Sequence, residues 1–107
     1  MRVLLDECLP RHLKQEIVGH DVATVPEMGW AGVKSGVLLR RASWVFDAFV
    51  TVDRGIARRP DLVAEAGSLA VVVLSTPSNR LEDLSPLVRA LLRALDAPRP
   101  GEIISIA

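Results

Sequence analysis

Two acidic positions in this chain sit in matching places. "VLLDECLP" carries an apolar run straight into Asp6-Glu7, and "AFVTVD" carries another into Asp53. Turns after buried strands ordinarily favour Gly, Asn or Ser, so a carboxylate there, twice, needs a chemical reason. Carboxylates at the ends of neighbouring strands repel, and a cation, a shared proton or a partner's guanidinium must answer that repulsion. An all-oxygen site of this kind suits a hard divalent ion, Mg²⁺ or Mn²⁺. The same acids have a purely local use, because Asp6 or Glu7 can cap a helix beginning near Pro10. The repetition favours a site. Asp6 ranks ahead of Glu7, which points to the opposite side if the strand runs on through it. Glu27 is either a further oxygen donor or a solvated loop acid.

The remaining reactive side chains add little. His12 and His20 read as surface or turn residues rather than ligands. Cys8 is the single cysteine, so no intrachain disulfide forms and no Cys pair exists for zinc. Trp44 reads as a packing residue on its helix and Trp30 as a cover over the site, since a lone Trp in a Gly-flanked loop is not a stacking platform for bases.

Short apolar runs alternate with stretches of helical spacing, the pattern of βαβ units around a parallel sheet. Val3–Leu5 is the first strand, and Pro10 opens a helix whose face is Leu13, Ile17 and Val18 and which ends near Gly19. "HDVATV" is a second strand. Ser35 caps the next helix, in which Leu38, Leu39, Ala42, Val45 and Phe46 recur at three- and four-residue spacing. "AFVTVD" is a third strand, Asp61–Ala66 a modest helix, and "LAVVVL", apolar on both faces, a central strand. Leu81, Leu84, Leu87, Val88, Leu91, Leu92 and Leu95 mark the surest helix, stopped by "APRPG" before the closing strand "EIISI". The expected fold is a single α/β domain over residues 1–107: three layers, α/β/α, around a five-stranded parallel sheet in the order 2-1-3-4-5. In such a sheet, ligands gather at the carboxyl ends of strands where the order switches, and Asp6 and Asp53 stand at those ends.

Composition is compatible with this. A chain of 107 residues that is 50% hydrophobic fills a core and folds alone or as a small homo-oligomer. The 13 Lys and Arg against 13 Asp and Glu leave no global field for a polyanion, so RNA would need a local patch. The predominance of Arg over Lys reflects a GC-rich genome or fork-like phosphate contacts. No run is long enough to span a membrane, and the interrupted start argues against a secretory signal. A cytoplasmic protein is expected.

"VLLDECLP", "GHDVATV" and "FVTVDRGI", with "LAVVVL…PSNRLEDL" and the closing strand, resemble the short PIN-like family of unknown function related to prokaryotic VapC-type toxin ribonucleases. The resemblance covers nearly the whole chain and rests on the order and spacing of the motifs. It implies an acid cluster holding Mg²⁺ or Mn²⁺ and hydrolysis of RNA phosphodiesters, with an antitoxin-like protein as partner. Asp6 matches the acid after the first strand, Asp53 the acid of the "T-x-D-R" segment, and Glu7 the glutamate that often follows the first acid. Arg54, Arg11 and Arg80 are the candidate phosphate contacts. One departure stands out: where the family carries an Asp in "D-x-x-L-L-x-x-A", this chain reads "SGVLLRRA", with Ser35 in the acid's place. A neutral hydroxyl weakens metal binding.

Two alternatives stay open. A PIN-like module without catalysis is one, favoured by Ser35. A receiver-like signalling domain is the other, with Asp6-Glu7, Asp53 and Ser75 or Thr76 in its phosphoacceptor roles. That chemistry wants a Lys beyond the last strand, and "IISIA" lacks it.

Overall fold

The computed structural model describes residues 1–97 and 99–107. Five strands, β1 (Arg2–Leu5), β2 (Asp21–Thr24), β3 (Ala48–Thr51), β4 (Ala70–Leu74) and β5 (Ile103–Ile106), form one parallel sheet in the order 2-1-3-4-5. Every residue of β3 and β4 is buried, as expected for β-branched and apolar strands covered on both faces.

The period of two along each strand sorts the core into two layers. Val3, Leu5, Ala48, Val50, Val72 and Leu74 point to one side. There they meet Leu13 of a 3-10 helix over Arg11–Glu16 and the C-terminal helices α3 (Leu81–Leu84) and α4 (Val88–Asp96) through Leu84, Leu91 and Leu95. Leu4, Phe49, Val71 and Val73 point to the other side, against Leu38, Leu39 and Ala42 of α1 (Ser35–Val45) and Leu62 and Ala66 of α2 (Pro60–Ala66). The β1-to-β2 connection therefore covers one face and the β2-to-β3 connection the other. The chain thus leaves the carboxyl ends of β1 and β3 in opposite directions, which is the geometry of a switch point.

Several local expectations are corrected. Pro10 is the cap of a 3-10 helix rather than the first residue of an α-helix, and Val18 is 67% exposed instead of packed. Lys34 occupies the cap of α1, with Ser35 its first helical residue. The long leucine stripe is not one helix. Pro86, which has no N–H to give the preceding turn, lies in a 3-10 turn over Ser85–Leu87 that separates α3 from α4. Of the stop "APRPG", Pro98 lies outside the described residues. Trp44 is 73% exposed, whereas Trp30 meets the Phe46 ring edge-on at 6.2 Å. Among the described residues, no helix is long and apolar enough to cross a membrane.

The layering has a direct consequence for stability. Leu84→Ala, at a fully buried position, is expected to cost about 2–5 kcal/mol. Trp44→Ala should change stability by no more than about 0.5 kcal/mol. Equilibrium urea denaturation of the two variants checks the contrast, and equal costs would contradict the packing described.

Candidate functional site

The carboxyl ends of β1 and β3 lie side by side, tied by one hydroxyl. The Asp6 N–H donates to Val50 O at 2.9 Å, which extends the ladder past β1 and fixes where the Asp6 side chain emerges. Thr51, fully buried at the end of β3, donates its hydroxyl to Asp6 Oδ2 at 2.7 Å and accepts the Asp53 N–H at 3.1 Å. Asp6 Oδ1 accepts the Glu7 N–H at 2.8 Å. Both Asp6 oxygens are oriented in this way, and each retains lone-pair capacity for another partner. Asp53 caps the 3-10 helix over Arg54–Arg58, its Oδ1 accepting the Gly55 N–H at 2.9 Å. The local capping use of an acid after a strand is thus taken by Asp53, while the Pro10-led helix has no side-chain cap.

From Asp6 and Glu7 an open cleft of ≈ 880 Å³ runs towards the end of β2, lined by Leu9, Arg11, His12, Gln15 and Pro26. Both Glu7 carboxylate oxygens lie 3.3 Å from the Gly32 N–H, which joins the acid to the loop before α1. Lys14 Nζ meets Glu27 Oε2 at 2.9 Å across the cleft wall. Glu27 also accepts the Thr24 N–H at 3.0 Å, and the Lys14 ammonium followed by these Thr24 bonds holds its carboxyl below the usual range. Glu27 is engaged in its own loop instead of joining Asp6 and Asp53.

The other expected residues take different places. Arg54 reaches the Thr76 carbonyl at 3.3 Å, and Arg80 pairs with Glu82 at 2.7 Å. Arg11 faces the cleft. Ser35 is exposed at the start of α1, and that end opens on the same edge as the acids because a helix joining parallel strands runs against them. Among the described residues it makes no hydrogen bond to Asp6 or Asp53. Cys8 Sγ lies 3.9 Å from Thr51 Oγ1. Burial, aided by the charge of Asp6, pushes the Cys8 thiol up, so it stays protonated at neutral pH and is a poor nucleophile.

Two positioning residues escaped the sequence reading. Thr51 stands in the "T-x-D-R" segment, but nothing in the sequence shows that its hydroxyl binds Asp6. Asn79, which donates to Cys8 O at 2.8 Å and steadies the turn after β1, carries no local signal. As for a metal, no three His, Cys, Asp or Glu side chains among the described residues gather into a group able to hold one. The Asp6 and Asp53 donors are hard oxygens, which fit an Mg²⁺ or Mn²⁺ that keeps much of its water and do not fit a closed cage.

Fold and edge together define the class: a three-layer α/β/α protein with a 2-1-3-4-5 parallel sheet and acids at its switch point. Comparison with protein-family models, curated proteins and solved structures gives no match to this chain.

Thr51→Val removes the hydroxyl while keeping the side-chain shape. Loss of the bonds to Asp6 and the Asp53 N–H is expected to cost about 1–3 kcal/mol. Chemical denaturation measures this, and a neutral outcome would mean that the hydroxyl does not hold the acidic edge.

Proposed function

We propose that the chain is a PIN-like, metal-dependent ribonuclease that hydrolyses RNA phosphodiesters at the acidic edge and holds its Mg²⁺ or Mn²⁺ weakly. The observation that supports this best is the Thr51 hydroxyl, which binds the Asp6 carboxylate and the Asp53 N–H at neighbouring strand ends, with Asp6 and Glu7 lining an open cleft. Asp6 and Asp53 would hold the ion. A divalent ion there supplies charge for the phosphate oxygens and a more acidic water. Thr51 fixes the orientation of the Asp6 carboxylate. Glu7, beside Asp6 and directed to the Gly32 N–H, lines the cleft where it could orient a water. The toxin role and an antitoxin-like partner rest on the sequence resemblance alone.

A PIN-like binding module without catalysis is the second reading, favoured by Ser35, exposed at the α1 terminus where the family carries an acid.

An RNA cleavage time course with Mn²⁺ distinguishes the two. Slow cleavage is expected, lowered about 10²-fold or more in Asp6→Asn, as for other groups that stabilise charge at a reacting phosphate. It should rise in Ser35→Asp, where a carboxylate is restored. Cleavage that survives Asp6→Asn unchanged would overturn the proposal, and no metal-dependent cleavage in any form would favour the binding module.

A further inference from the structure

The cations near the acidic edge differ in one respect that bears on where RNA lies. Lys14 is neutralised by Glu27 at 2.9 Å, and Arg80 by Glu82 at 2.7 Å. Arg54 has no carboxylate partner among the described residues and keeps its charge, but one N–H is directed to the Thr76 carbonyl at 3.3 Å, away from the cleft lining. Arg11 and His12 are both exposed, both line the cleft, and among the described residues make no hydrogen bond or ion pair. A phosphate that approaches Asp6 and Glu7 meets negative charge, so it is held where the cleft offers the uncompensated Arg11 guanidinium and, next to it, the His12 ring as a hydrogen-bond donor.

We infer that single-stranded RNA runs from the acids along the cleft towards β2, with its phosphate backbone on Arg11 and His12. This rests on the ribonuclease reading and adds to it the direction of the substrate. The cleft, ≈ 880 Å³, is comparable to the roughly 300–1,000 Å³ of pockets that take drug-sized ligands, so nucleotide-sized groups fit. Leu9 and Pro26 offer apolar contact to a base, and Gln15 offers an amide able to donate and accept at a base edge. No Phe, Tyr or Trp is among the cleft-lining residues, so His12 is the one ring there and binding depends more on charge than on base identity.

The test separates binding from cleavage. Fluorescence anisotropy of a labelled short oligouridylate is measured with EDTA present, on the full chain and on Arg11→Gln, His12→Gln and Arg93→Gln. Arg93 is an exposed arginine of α4 and serves as the charge-matched control. Arg11→Gln is expected to weaken binding about tenfold, the loss of one charge-assisted phosphate contact. It should also reduce the slope of log K against log salt by about 0.7. His12→Gln should weaken binding in the same sense, and Arg93→Gln should leave it unchanged. Binding that depends on Arg11 and His12 supports the inference even if no RNA is cleaved, in which case only the ribonuclease reading fails. No oligouridylate binding, or equal effects of all three substitutions, overturns it.

Discussion

A buried hydroxyl at the end of a central strand must find partners, and Thr51 finds them in the two places that matter. It donates to the Asp6 side chain just past β1 and accepts the Asp53 backbone N–H just past β3. Strand register and acid placement are therefore one constraint. A one-residue slip between β1 and β3 would turn Val3 and Leu5 out of their layer and carry Asp6 away from Thr51 at the same time. Hydrophobic layering, which supplies most of the driving force, thus also sets the geometry of the polar edge.

The neutral net charge hides an uneven local arrangement. Arg40 and Glu65 form a two-bond pair between α1 and α2, which raises the guanidinium and lowers the carboxyl from their ordinary values. Like other exposed pairs, it contributes little stability, but it removes a cation from the pool available to a ligand. Lys14 is removed in the same way by Glu27. What remains beside Asp6 is a cleft with acids at one end and the uncompensated Arg11 further along, beside His12, and the proposed RNA path rests on that arrangement.

The sheet was legible because its signals are redundant. Apolar runs such as "LAVVVL" suit only a doubly covered strand, and the helical spacing between them left few topologies. The leucine stripe also correctly marked a buried face, but Pro86 broke its backbone ladder, which apolar periodicity does not register. The exposure of Trp44 and the 3-10 form of Arg11–Glu16 depend on what happens to lie opposite them, and composition carries no record of that. At the candidate site, Asp6 and Asp53 could be read from their repeated position. Thr51, Asn79 and the engagement of Glu27 by Lys14 could not, since each joins residues from separate elements.

The direct measurement is thermal unfolding of the full chain and of Asp6→Asn across a Mn²⁺ titration. If the edge holds a divalent ion, the melting temperature of the full chain rises with Mn²⁺ through linkage. Asp6→Asn keeps an amide oxygen to accept the Thr51 hydroxyl and leaves the exposed Glu7 N–H to water, so without metal it melts close to the full chain, and it gains nothing when Mn²⁺ is added because a charged ligand is lost. A variant that loses several kcal/mol without metal, or a full chain indifferent to Mn²⁺, would show instead that Asp6 is a structural acceptor for Thr51 and nothing more.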